Sequence, residues 1–196
     1  MAEELIIDKK FFKDRKDKFD KDFNKEKDIL NELNNVENRI KVRRFNINTN
    51  DIIEIYDIQD DIAELKIEIN TILGKSLEYE KNAELLLASF EIAIDKIKAQ
   101  WLMSDYVKNS GLKNKEEKYA LIDKGIFESL ELDIYYFLMY AKSQNIKATT
   151  TSKQVNKHVS VLKGLEEQLS RKITILQIQK DIGALKSDTI YNIGRK

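Results

Sequence analysis

Three short runs in the 196-residue chain have residue types and spacing that suggest chemistry. Gly74-Lys75-Ser76 has the ending of a phosphate-binding loop, in which backbone amides cradle phosphate and the lysine reaches it. That loop needs a glycine five residues earlier, where Ile69 stands, and a strand before it, where an isoleucine repeat runs. The run therefore reads as a flexible point in a helix or a turn capped by Ser76. Since glycine inside a helix costs about 1 kcal/mol against alanine, a break at Gly74 is the alternative. Asp20, Asp22, Asn24 and Glu26 alternate as the first oxygen ligands of a calcium loop do, but Lys25 replaces the turn glycine and Asn31 the bidentate glutamate. His158 is the single histidine, and Val155 three residues before it rules out the Glu-x-x-His pair of di-iron bundles. It reads as a surface or core-edge residue. Tyr135, Tyr136 and Tyr140 flank Phe137 and could stack nucleobases, yet at helical spacing the core reading outweighs stacking, with the hydroxyls at the rim.

Cysteine is absent, there is no glycine-rich loop, and the carboxylates recur on helical faces rather than converging on a pocket. No catalytic, cofactor-binding or metal residue is assigned, no cofactor is expected, and a non-enzymatic protein is the better class.

The elements that would position any site are helices. Ile55, Ile62 and Ile69 fall seven apart, Ile58, Leu65 and Ile72 repeat three residues behind them, and together they form the apolar seam of a coiled coil. The first series continues through Ser76, Ala83, Phe90 and Ile97, while its partner slips by one from Tyr79 to Leu87, the drift of a straight helix against a seven-residue repeat. The spacing predicts one helix over 51–109, roughly 90 Å long. Before it, Leu5, Phe12, Phe19, Phe23, Leu30, Leu33, Val36 and Ile40 predict a helix over 3–44 within a weave of Lys and Asp. Between the two, Phe45 to Asn50 offers the backbone side-chain hydrogen bonds and predicts a hinge or a tight helical hairpin, with Thr49 or Asn50 as N-cap. Asn109 to Asn114, around Gly111, is the clearest turn, and a third helix follows over 115–145. Asn145 to Ser152 predicts the last polar connection, with Thr151 or Ser152 capping a final helix over 152–183 through Val155, Val159, Leu162, Leu165, Leu169, Ile173 and Leu176. The expected fold is all-α: an elongated bundle or coiled coil of about four helices, the central one very long, forming a single domain over 1–196.

Proline is absent and 35% of residues are charged, which suits helical rods with a narrow buried seam. No signal peptide is expected from the N-terminal residues, and the longest apolar stretch, Ile134 to Ala141, is far short of a membrane span. A cytoplasmic protein is expected, or one of the host cytoplasm or virion if viral. Net charge is zero, but residues 51–95 hold 3 basic and 12 acidic residues and residues 141–196 hold 11 and 4. The basic ends nominate Arg39, Lys41, Arg43, Arg44, Lys153, Lys157, Arg171 and Lys172 as nucleic-acid contacts.

Ser170-Arg171, Ile173, Ile175 and Ile178-Gln179, with Val161 and Leu165 before them and Ala184 after, resemble the closing helix of the UvsY-type recombination mediators of tailed phages. Lys96-Ile97-Lys98 and Tyr106 before Gly111 correspond to that family's basic helix and tyrosine turn, although Gln100 and Trp101 stand where more charge is usual. The resemblance covers about thirty residues and leaves the first 75 without a counterpart. It implies a small helical, ring-forming protein that binds single-stranded DNA and helps to load a recombinase. Two functions are thus expected. One is an oligomerising helical protein, a phage or mobile-element accessory that binds itself or another helical protein through Ile55, Ile58, Ile62, Leu65, Ile69 and Ile72. The alternative is the nucleic-acid-binding mediator.

Overall fold

A computed structural model describes residues 8–43, 45 and 48–193, with side chains through Ala184 apart from Val42 and Arg43. Among the described residues there are six helices: α1 Lys9–Asp22, α2 Glu26–Arg43, α3 Ile52–Leu102, α4 Asp105–Lys108, α5 Lys115–Leu130 and α6 Ile134–Ile193. No strand occurs among those residues. The all-α class and the long central helix follow the heptad pattern, whereas several boundaries differ from expectation for local reasons.

The helix expected over 3–44 is two helices. The N–H groups of Phe23 and Asn24 both donate to the Phe19 carbonyl at 2.9 Å, closing α1 before α2 begins at Glu26. In α3, Asp51 rather than Thr49 or Asn50 is the cap: its carbonyl accepts from Ile55 at 3.0 Å and its Oδ1 from Ile53 at 2.9 Å. Thr49 Oγ1 instead accepts the Asp51 N–H at 3.1 Å. The helix then runs without a break through Gly74 and stops at Leu102, short of the expected 109. There the Ser104 hydroxyl donates to the Trp101 carbonyl at 2.6 Å, competing with the helical bond. Gly111 turns with φ +71, as its place in the sequence requires.

The largest difference lies at 145–152, which is helical throughout. Glu131, at φ 48, ends α5, and Asp133 Oδ1 accepts the Tyr136 N–H at 2.9 Å to start a 60-residue α6. Thr150 and Thr151 turn their hydroxyls back onto the carbonyls of Ile146 and Lys147 at 2.8 and 2.9 Å, so these oxygens are satisfied inside the helix and cap nothing. Ser152 is buried and donates to the Ser76 carbonyl at 3.1 Å. Small side chains at Ser76, Ala148 and Ser152 allow that approach of α3 and α6, which explains why polar residues sit mid-helix.

Two compact units divide the chain: Met1–Asp28 with Lys75–Ser152, and Ile29–Gly74 with Lys153–Lys196. The first has an aromatic core. Phe12 lies 5.0 Å from Phe90 and 5.4 Å from Phe137 between ring centroids, and Phe19 lies 6.1 Å from Tyr79. Tyr79, buried, donates its hydroxyl to Gln144 at 3.1 Å, and Tyr140 bonds Asp20. Of the tyrosine run only Phe137 is core; Tyr135 and Tyr136 are exposed, because their positions on α6 point away from Phe12 and Phe90. Trp101 lies so close to Gly125 that a Cβ there would meet the indole at 2.5 Å.

In the second unit α2, α3 and α6 meet pairwise. Arg39 binds Glu68, Lys66 binds Glu166 at 2.5 Å, and His158 Nε2 lies 2.6 Å from Glu37. Inside these polar contacts the core is aliphatic: Ile29, Leu33 and Val36 from α2, six residues of α3, and Val155, Leu162 and Leu169 from α6. Each such side chain contributes about 1.5–3 kcal/mol by leaving water, whereas surface ion pairs in general contribute about 0–1 kcal/mol, so the apolar seam dominates.

Candidate interaction surfaces

The six seam residues nominated for oligomerisation, Ile55, Ile58, Ile62, Leu65, Ile69 and Ile72, are all buried within the single chain. Ile55, Ile58 and Ile62 cluster with Leu169, and Phe45, Leu165, Ile173 and Leu176 pack around them. An apolar stripe on a helix must be covered, and here α2 and α6 cover it. The seam is a core, which corrects its expected role as a contact between copies.

The basic candidates are scattered rather than gathered. Arg39 Nη1 donates to both Glu68 oxygens at 2.6 and 2.5 Å, and this hydrogen-bonded carboxylate raises the guanidinium pKa above its usual value. Lys41 lies 3.8 Å from Glu37. Arg43 ends α2, its side chain outside the described residues, and Arg44 also lies outside them. Lys153, Lys157 and Arg171 are exposed on α6, and Lys172 is half-buried. The Glu37–His158 pair joins α2 to this part of α6.

A surface that the charge map does not single out lies on the opposite side of α6. Val161, Gln168, Ile175 and Ile182 are seven apart, and Gly164, Arg171 and Ile178 follow three behind each. This second heptad series faces away from the buried Leu162 and Leu169, and Ile175, Ile178 and Ile182 are 55%, 51% and 47% exposed. From Gln177 to Ala184 every described residue is exposed. The spacing was visible in the sequence; which of two interleaved series turns inward was not.

The first unit carries another surface that averaging concealed. Residues 96–140 hold 7 basic and 7 acidic residues. Nevertheless Lys108, Lys113, Lys115 and Lys118 line one cleft of about 340 Å³ over Val107 and Leu112, and its described lining includes no carboxylate. Nearby, Lys98 pairs with Asp123 at 2.7 Å, and Tyr135 donates to the same carboxylate at 2.5 Å. Lysines set around an apolar floor attract anions.

No family model, curated protein or solved structure matches the chain, the UvsY-type mediators included. Among the described residues no group of three His, Asp or Glu side chains could hold a metal ion, and no helix is long and apolar enough to cross a membrane.

Proposed function

We propose that the protein is a non-enzymatic helical adaptor that binds a partner protein through the outer face of α6. The observation that carries this reading is the exposed stripe Ile175, Ile178 and Ile182, three large β-branched side chains in heptad register on a stretch of helix that the rest of the described chain leaves uncovered. Contiguous exposed apolar surface rimmed by polar residues marks interaction sites, and an amphipathic helix with such anchors fits a helix-in-groove or helix-pairing mode. A photo-crosslinking residue at position 178, in cells that make the protein, is expected to give one defined adduct with a polypeptide. At Lys180, on the other side of the same turn, it should give none. Absence of an adduct at 178, or equal adducts at both positions, overturns the reading.

The alternative, a single-stranded nucleic-acid-binding mediator, draws its support from the lysine cleft rather than from the basic ends. Arg39 and Lys41 already face carboxylates, whereas Lys108, Lys113, Lys115 and Lys118 converge on one cleft. On this reading Lys113→Ala with Lys115→Ala weakens oligonucleotide binding and lowers its salt slope by about one for each phosphate deprived of its lysine. An unchanged slope, or no binding by the wild type at low salt, removes it.

A further inference from the structure

We infer that the lysine cleft of the first unit captures an acidic peptide segment carrying an aliphatic side chain, so that carboxylates meet the lysines while the side chain covers the floor. None of the cleft's described lining belongs to α6, so this ligand is a contact additional to the one proposed there.

The connection from α3 to α5 builds the cleft. Leu102 ends α3, and Val107 and Lys108 come from α4. Ser110 then donates its hydroxyl to the Val107 carbonyl at 2.7 Å, and Gly111 turns the chain with φ +71, which returns Leu112 to the same cleft. Asn114 Oδ1 accepts the Glu116 N–H at 3.0 Å and starts α5, whose first four residues include Lys115 and Lys118.

Charge decides the sign of the ligand. Lys108, Lys113 and Lys115 are exposed and Lys118 is half-buried, and among the described residues none of the four makes an ion pair. Nearby Lys98, by contrast, is held by Asp123 at 2.7 Å. Asp105, Glu116 and Glu117 belong to the same stretch of chain, but they are exposed and none of them lines the cleft. Four like charges around one cleft repel one another, and an anion that enters relieves the repulsion.

The floor decides the rest of the ligand's chemistry. Leu102, Val107 and Leu112 are aliphatic, and Leu102 is 41% exposed. A free phosphate or a run of carboxylates alone would meet the lysines and leave this floor wet, whereas an aliphatic side chain between acidic residues removes it from water as well. Single-stranded nucleic acid fits less well, because its bases bind by stacking on aromatic rings. Tyr119 is the one aromatic residue in the described lining, and the ammoniums of Lys115 and Lys98 already lie over its ring, 5.8 and 5.9 Å from the centroid. At about 340 Å³ the cleft holds one anchoring side chain and its neighbours rather than a strand followed over several nucleotides.

The test uses the purified full chain and a short labelled peptide in which glutamates flank a single leucine, followed by fluorescence anisotropy at low salt. Saturable binding that weakens as salt is raised is the expected result. Replacing the peptide's leucine by serine should weaken binding about tenfold, as the loss of a buried apolar anchor requires. Lys108→Glu with Lys113→Glu should abolish binding; both residues are exposed, so the dichroism of the helices should be unchanged. Leu102→Ser, also exposed, should weaken the leucine peptide and leave the serine peptide unaffected. Four results overturn the inference: no saturable binding of the leucine peptide by wild type, equal binding of the two peptides, a charge-reversed variant that binds like wild type, or a labelled single-stranded oligonucleotide that displaces the peptide and binds more tightly, which would assign the cleft to nucleic acid. The crosslink at position 178 reads a different surface, so the adaptor reading stands or falls separately.

Discussion

Two apolar seams in the second unit share a seven-residue spacing and have opposite fates. On α3, Ile55 to Ile72 lie under α2 and α6 and are at most 8% exposed; on the outer face of α6, Ile175, Ile178 and Ile182 are about half exposed. Periodicity alone therefore identifies a helix with something to bury and leaves open what buries it. The difference lies in what flanks each seam. The α3 seam is unbroken, with six large aliphatic residues in succession, whereas the α6 series is interrupted by Gly164, Gln168 and Arg171. An interior cannot accommodate that many polar or absent side chains at low cost, but a weak contact between molecules can, because its rim stays wet.

The largest effect expected from this contrast is at Ile62, 1% exposed in the α3 seam. Ile62→Asp should cost more than about 4 kcal/mol by burying an unpaired carboxylate, and amide exchange should show protection lost across the second unit. Leu169→Ala, on the inner face of α6, should cost about 2–5 kcal/mol in denaturant unfolding, since it empties space against Ile55, Ile58 and Ile62. A polar position inside a core supplies an intermediate case. Tyr79→Phe removes the hydroxyl that satisfies buried Gln144 and should cost about 1–3 kcal/mol.

Tyr79 also gives a pH signature. Burial, aided by the Glu26 and Asp20 carboxylates, pushes its pKa from 10.0 up to about 12. A raised pKa favours the neutral phenol in the folded state. Its stabilisation is therefore complete below pH 10 and lost as pH rises towards about 12, and Tyr79→Phe should remove that part of the alkaline loss in thermal unfolding.

Smaller again is Glu68→Gln, which leaves Arg39 without its carboxylate at a site about 40% exposed. Water screens such a pair, so the urea midpoint should fall by less than Tyr79→Phe lowers it. Smallest is Ile175→Asp, on the outer face, whose effect on monomer stability should lie within about 0.5 kcal/mol by the same measurement. A loss there as large as at Ile62 would erase the distinction between the two faces.

Much of the fold was legible because it depends on spacing and on glycine. The Ile55 to Ile72 repeat specified α3 and its buried face, and Gly111 marked a turn that needs positive φ. What escaped depends on how polar side chains find partners. Asn24 closes α1 without a glycine or proline to signal it, and Thr150 and Thr151 look like caps until their hydroxyls are seen bonded one turn back. The basic candidates were chosen from charge along the chain, which cannot show that Glu68 lies against Arg39 or Glu37 against His158. The lysine cleft was hidden for the converse reason: its four cations share a neutral stretch of sequence but one place in space.

The close approach of Trp101 to Gly125 carries an optical consequence. This is the chain's single tryptophan; its ring is also set edge-on to Tyr106 at 5.7 Å, and both neighbours belong to the first unit. Indole emission excited beyond the tyrosine band therefore reports on that unit's packing alone, while far-ultraviolet dichroism sums the helices of both. Unfolding curves recorded by the two methods measure whether the aromatic and the aliphatic cores melt as one cooperative body or as two.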